Sequence, residues 1–320
     1  MLPYHSAEQV HAALPWSTLV PALRAAFAAG ATVPRRHAHA LSERDSLLLM
    51  PAWSDDALGV KVVTVMPDAR AARTVQALYI LLDRHTGVPR AVLDGEALTV
   101  RRTAATSVLA ASYLAPDDAS HLLVIGTGTL APYMVRAYCA MRPAITRVRL
   151  WGRTPSRAAA LAHALVSEGL PVDACTGAPD ALPNAVAASQ IVCAATTSRT
   201  PIIQGAWLSP GTHVDLVGGF TAAMREADDG AMRASRIVVD SYDGALSEAG
   251  DLVEPLARGV IVRAQVVAEL RELVTGTVAG RTDGAQITLF KSVGLALEDL
   301  AAATLVCGLG PVPSGQTPDL

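Results

Sequence analysis

The chain has 320 residues, 51% of them hydrophobic, with a formal net charge of −3. That length suffices for two domains with full cores, and the charge leaves no footprint for nucleic acid. Alanine supplies much of the apolar fraction, and no strongly apolar run approaches the roughly 18 residues of a membrane span. The opening residues (Tyr4, His5, Glu8) lack a basic-then-apolar leader pattern. Cys139, Cys175, Cys193 and Cys307 have neither metal-ligand nor C-x-x-C spacing. They read as small buried hydrophobes of a reducing compartment, so a cytoplasmic protein is expected.

In chain order, Ser17 is placed to cap a helix whose apolar face is Val20, Leu23 and Phe27 and which Gly30 ends. Strand-like runs follow at 46–50, 59–66 and 76–83. Arg84-His85-Thr86-Gly87 turns the last of these into 88–94 as a hairpin. Asp94-Gly95 reads as a further turn, and a long helix is expected over 99–114. Antiparallel strands before a helix indicate an α+β lobe. From His121 the rhythm changes to alternating strands (122–125, 148–151, 172–174, 191–194, 213–217, 237–239) and helices, notably 155–168 and 266–273. This is the pattern of a doubly wound parallel sheet. A final helix over 293–306 is expected to pack on the first lobe, and 311–320 reads as a loose tail.

The most specific stretch is His121-Leu-Leu-Val-Ile-Gly126-Thr127-Gly128-Thr129-Leu130-Ala131-Pro132. A buried strand runs into a glycine turn and a helix start, where a pyrophosphate sits on backbone N–H groups. Ala131 stands where the fingerprint's third glycine often is, and Pro132 suits a first helical turn. An NAD-selective site usually carries an acid about 20 residues on. Here no acid occurs between Asp118 and Glu168, and the next strand ends in Arg153 and Thr154, with Arg157 a turn further. Those arginines suit a 2′-phosphate, so NADPH is expected, with NADH possible; the plain alternative is solvated surface charge. Ala195-Thr196-Thr197-Ser198 and Val217-Gly218-Gly219-Phe220 follow later strands and are candidates for the nicotinamide half, or simply polar loops.

The first lobe carries the cations Arg35, Arg36, His37, His39, Lys61, Arg101 and Arg102. Lys61, set among β-branched residues, must reach solvent, snorkel or meet an anion. Arg101-Arg102 at a helix start opposes the macrodipole, which fits an arginine kept for a bound anion or a solvent-facing pair. His37 and His39 alternate as strand residues do, and without a nearby carboxylate they make poor metal ligands.

Several segments together resemble the ornithine cyclodeaminase/mu-crystallin family: Met50-Pro51-Ala52, Gly59-Val60-Lys61-Val62-Val63, Leu98 to Ser107, Gly126-Thr127-Gly128, Trp151-Gly152-Arg153-Thr154, and Thr288 to Gly294 with Glu298-Asp299. The resemblance implies a Rossmann domain (114–292) inserted in a substrate-binding and dimerising lobe (1–113 with 293–320), and hence a homodimer. It also implies that Arg36 and Arg102 bind a substrate carboxylate and that Lys61 is the active-site lysine. Cyclodeaminases of the family carry an aspartate after the glycine pair, where this chain has Phe220, and a glutamate where it has Leu48. Without both acids an ornithine δ-ammonium would be buried unpaired, at a cost of several kcal/mol.

The stretches 33–39 and 219–228 resemble the branch that reduces Δ1-pyrroline-2-carboxylate and Δ1-piperideine-2-carboxylate to L-proline and L-pipecolate. Arg35 departs from that branch's second proline. The reading is therefore an NADPH-dependent ketimine reductase in which Phe220 packs on the ring and Lys61, or His39 through water, protonates the imine nitrogen. Alternatives are an ornithine cyclodeaminase recycling NAD, a non-catalytic NADPH-dependent binding protein of mu-crystallin type, and an alanine dehydrogenase.

Overall fold

The computed structural model describes residues 1–69, 74–175, 177–178 and 180–309, so the tail expected at 311–320 lies outside the described residues. Two compact units divide the chain: Met1–Arg102 with the chain from Ala296, and Thr103–Leu295. The division falls inside a helix.

The first unit contains β1 (Tyr4–His5), α1 (Ala7–Ala13), α2 (Trp16–Ala29), β2 (His37–Ala40), β3 (Ser46–Trp53), β4 (Ala57–Val65), β5 (Val75–Asp83) and β6 (Pro89–Asp94), and the start of α3 (Gly95–Leu114). Among the described residues its six strands order as β1-β6-β5-β4-β3-β2, antiparallel except for the β1–β6 pair. The hairpin expected at 84–87 forms: Gly87 takes φ 72, and Asp83 accepts from the Thr86 amide at 2.7 Å.

Ser17 does not cap α2. Pro15 occupies the cap position and the helix begins at Trp16, where proline's fixed φ leads the chain in without a side-chain bond. Nor is Asp94-Gly95 a turn. The Asp94 carboxylate accepts from the Ala97 amide at 2.8 Å, capping a helix that starts directly at Gly95. Arg101 and Arg102 thus lie beyond the first turn, where the macrodipole penalty has largely faded. The sequence reading also missed α1, although Ser6 and Gln9 form a capping box at its start.

The second unit runs β7 (His121–Ile125), α4 (Ala131–Met141), β8 (Arg147–Trp151), α5 (Pro155–Ser167), β9 (Val172–Ala174), α6 (Ala181–Ala187), β10 (Ile191–Ala194), β11 (His213–Leu216), α7 (Asp229–Ala234), β12 (Ser235–Val239), α8 (Tyr242–Glu248), α9 (Gly250–Ala257), β13 (Val266–Glu269), α10 (Leu270–Val274) and β14 (Ile287–Lys291). The chain then returns to the first unit as α11 (Ala296–Val306), which packs on α2 and on β3 to β5.

Among the described residues the second unit has eight strands, all parallel, in the order β13-β12-β14-β11-β10-β7-β8-β9. Counting outward from β7, the six strands from β9 to β14 follow the Rossmann order, with the reversal between β7 and β10. Continuous burial of Ile191–Ala194 and Leu122–Ile125 explains why these strands read as unbroken apolar runs.

Two elements differ from the sequence reading. The helix expected at 266–273 is half strand: Val266 and Ala268 are buried in alternation and pair with β12 before α10 begins. β14, absent from the strands expected, lies between β11 and β12. Its short Leu289-Phe290 pair sits between Thr288 and Lys291, so the apolar run is too short to announce a central strand.

Candidate active site

Lys61 lies on β4 facing the core and is only 3% exposed. Its Nζ donates to Thr99 Oγ1 at 3.3 Å and forms an ion pair with Asp299 Oδ2 at 2.8 Å. The lysine does meet an anion, and that anion belongs to the protein. Arg102, 4% exposed on α3, donates from Nε to Asp299 Oδ1 at 3.0 Å and from Nη1 to Glu298 Oε2 at 2.7 Å. Two cations and two carboxylates therefore meet in one buried cluster. Such a cluster contributes rigidity and orientation more than net stability. Nη2 of Arg102 and the remaining donor on Nζ are what a ligand would engage.

Burial lowers the Lys61 amine to about 8, against the opposing pull of Asp299; Arg102 lowers it further. Burial acts against the Arg102 charge too, but Asp299 and Glu298 outweigh it and raise the guanidinium's pKa. Asp299, although buried, is held below the usual carboxylate range by Arg102 and Lys61. Glu298 and Asp299 carry no role in the sequence reading. The available signal is two acids opening a helix that is otherwise apolar and buried.

Arg36 and His39 separate in the structure. β2 pairs His37 with Leu49 and His39 with Leu47, while β3 pairs Met50 with Lys61 and Leu47 with Thr64. Side chains alternate faces, so His39 and His37 lie on the face opposite Lys61, and both are exposed. The expected approach of His39 to the Lys61 centre is therefore not made within the chain. Continuing the same register by one residue sets the half-buried Arg36 on the Lys61 side, opposite Met50.

At the carboxyl ends of the parallel strands, Gly126 adopts φ 125, and a Cβ there would lie 2.5 Å from the Ala195 carbonyl oxygen. Glycine is required by the fold at that position. Gly128 contrasts with it: a Cβ placed there meets nothing within 4 Å. The protein leaves that space open, which fits close approach by a pyrophosphate. Thr127 is half-buried, Thr129 is exposed, and Leu130 precedes the first turn of α4. Ala131 is fully buried at the start of that turn, with Pro132 beside it.

Arg153, Thr154 and Arg157 are exposed where β8 leads into α5, and the Thr154 hydroxyl does not cap the helix. Ala195, Thr196 and Thr197 follow β10, while Val217 and Gly218 follow β11 and lead to Phe220, which is 40% exposed.

A second buried charge cluster underlies these two loops. Glu226 Oε1 accepts from the Thr196 amide at 2.7 Å and hydroxyl at 2.9 Å, and Oε2 accepts from the amides of Gly218 at 2.9 Å and Gly219 at 3.1 Å. Lys291 Nζ lies 3.2 Å from Asp251 Oδ2 and 3.9 Å from Glu226 Oε2, and all three side chains are fully buried. Burial pushes the Glu226 carboxyl up to about 7, opposed chiefly by Lys291. The sequence reading missed this group. Its signal is a lysine closing the buried Thr288-Leu289-Phe290 run.

A Rossmann sheet with an open glycine turn, joined in one chain to a buried lysine–arginine–carboxylate cluster, is the make-up of a nucleotide-binding enzyme. The chain matches the ornithine cyclodeaminase/mu-crystallin family over residues 4–308 and belongs to it. A Δ1-pyrroline-2-carboxylate reductase of Paracoccus denitrificans is 40% identical over 92% of each chain. The solved Δ1-pyrroline-2-carboxylate reductase of Thermococcus litoralis, in complex with NADH and L-proline, superposes with a TM-score of 0.90 at 33% identity over 97% of both chains. An archaeal alanine dehydrogenase, a dimer with bound NAD, gives a TM-score of 0.88 at 28% identity over 96% of this chain and 95% of its own.

Proposed function

We infer that the protein is a NAD(P)H-dependent reductase of cyclic ketimines, converting Δ1-pyrroline-2-carboxylate or Δ1-piperideine-2-carboxylate to L-proline or L-pipecolate. The observation that carries this reading is the Lys61–Arg102 pair, held dry and rigid by Asp299 and Glu298 with donors still available. Relatives named for this reaction, at up to 40% identity, support it.

The 126–130 turn and the loops at 195–197 and 217–218 would hold a reduced nicotinamide cofactor, which would supply the hydride. Arg102, through Nη2, and Arg36 hold the ring carboxylate; each charge-assisted bond contributes roughly 1.5–3 kcal/mol. Lys61 donates a proton to the imine nitrogen, so that hydride addition does not develop an amide anion. An amine titrating at about 8 is mostly protonated at neutral pH and gives its proton up more readily than an ordinary lysine. Phe220 packs against the ring. The cofactor turn comprises residues 126–130, with the loops at 195–197 and 217–218 receiving the nicotinamide half.

Arg153 and Arg157 favour NADPH over NADH, since no acid stands at the end of β8 to accept from a ribose hydroxyl. The working form is a homodimer. The sheet face opposite Lys61 carries Leu47, Leu49, Val60, Val62, Leu78 and Ile80, with Leu78 47% exposed, a surface suited to a second copy. Unpaired cysteines support a cytoplasmic location, and no helix among the described residues is long and apolar enough to cross a membrane.

The test is to mix the protein with NADPH and either cyclic imine and follow the nicotinamide absorbance, with L-ornithine plus NAD scored for ammonia. Rapid NADPH loss with inert ornithine is expected. Ammonia from ornithine without NADPH loss would refute the reductase in favour of a cyclodeaminase.

A further inference from the structure

The buried cluster beneath the second unit's loops has no part in the reaction just described. Glu226 receives four hydrogen bonds, two from the loop after β10 and two from the loop after β11. One carboxylate thus ties the loop after β10 to the start of the loop after β11, whose far end carries Glu226 itself. Its backbone is fixed in turn: Asp251 Oδ1 accepts from the amides of Glu226 at 2.8 Å and Ala227 at 3.0 Å. Lys291, at the end of β14, supplies the positive charge.

The fit is close at both glycines. A Cβ on Gly218 would collide with the Thr196 backbone and stand 2.5 Å from Glu226 Oε1. A Cβ on Gly219 would lie 3.3 Å from Asp251 Oδ2 and 3.4 Å from Lys291 Nζ. Three fully buried ionic groups are costly to assemble, and a packed apolar core would hold the sheet as well. What an apolar core cannot do is accept four N–H and O–H donors from two irregular loops at once.

We propose that Glu226, charged and anchored by Lys291 and Asp251, is a positioning residue: its carboxylate holds the 195–197 and 217–220 loops in the one relative arrangement that receives the nicotinamide half of the cofactor. The proposal rests on the reading that these loops, following the fourth and fifth strands of the Rossmann order, take that half, while the 126–130 turn and the end of β8 take the phosphates and adenosine. Glu226 itself is fully buried, so it acts through the two loops it holds. Loss of the clamp should therefore weaken binding of the nicotinamide half and leave the adenosine half alone.

The experiment is calorimetric titration of wild type, Glu226→Gln and Glu226→Asp with NADPH and with 2′-phospho-ADP-ribose, which lacks the nicotinamide. A glutamine amide would turn a donor toward one pair of N–H groups, releasing one loop. An aspartate keeps the charge but is one methylene too short to reach both. The expected result is at least tenfold weaker NADPH binding by Glu226→Gln, with 2′-phospho-ADP-ribose affinity changed less than twofold. If the glutamine variant does not fold, Glu226→Asp decides by the same selective loss, at threefold or more. Equal losses for both ligands, or none for either, would overturn the proposal. Wild type binding neither ligand would instead refute the nucleotide-site reading on which it rests.

Discussion

Replacing Lys61 with Met tests the proton donor, and the structure sets the size of the effect. The amine is 3% exposed and lowered from 10.5 to about 8, chiefly by burial. That fall corresponds to roughly 3 kcal/mol against the ammonium. Below about pH 8 the folded protein carries the buried ammonium and bears that cost. Between about 8 and 10.5 the unfolded chain binds the extra proton, so stability rises with pH across this window. In catalysis the sign is opposite: the donor must be protonated, so kcat/KM of wild type falls as pH rises through about 8.

Lys61→Met removes both effects. The expected loss in kcat is about 10²–10⁴-fold, the usual share of a general acid. The alkaline limb of the rate profile should vanish, and the variant's chemical stability should no longer climb between pH 8 and 10.5 relative to wild type. Asp299 keeps its bond from Arg102 at 3.0 Å, so the variant retains a paired carboxylate and should fold. Steady-state rates with a cyclic imine and NADPH over pH 6–10, with denaturant melts in the same buffers, make the measurement. Wild-type turnover with an unchanged alkaline limb would refute Lys61 as donor and the energetic argument with it.

The two fingerprint glycines should behave oppositely. Gly126→Ala meets the Ala195 oxygen at a φ of 125 and should cost about 1–3 kcal/mol of stability in a thermal melt. Gly128→Ala meets no protein atom within 4 Å and should melt like wild type while losing cofactor affinity in titration. Removing the Arg153 and Arg157 guanidiniums should weaken NADPH binding about tenfold or more and NADH hardly at all. That difference should shrink at high salt because both side chains are exposed; equal losses would show that they read no 2′-phosphate. Arg102→Ala leaves Glu298 and Asp299 buried with one fewer cation, and should destabilise by about 3–5 kcal/mol in denaturant melts. The milder Arg102→Lys should raise KM for the imino acid more than it lowers kcat, since a point charge cannot bind both carboxylates and substrate in a fork.

Local patterns carried most of the nucleotide-binding unit into the sequence. The runs at 122–125 and 191–194 are buried on both faces, so they read as parallel strands without any knowledge of their neighbours. The 126–132 stretch announces its own turn and helix because glycine, alanine and proline each answer a local steric demand. Lys61 stood out for a similar reason: a charge among β-branched residues needs a partner wherever the strand lies.

What that partner is, only the tertiary structure decided. Arg102 and Asp299 are 197 residues apart, and no periodicity links them. The face of His39 depended on the β2–β3–β4 register, because one residue of slip moves a side chain to the other side of the sheet. β14 took its place between β11 and β12 through pairing on both edges, not through its own short apolar run. Glu226 became visible only when Thr196, Gly218 and Gly219 converged on its two oxygens. Backbone period and steric demand are properties of neighbouring residues and are written along the chain. Charge compensation in a dry interior is a property of whatever the fold brings within a few ångströms.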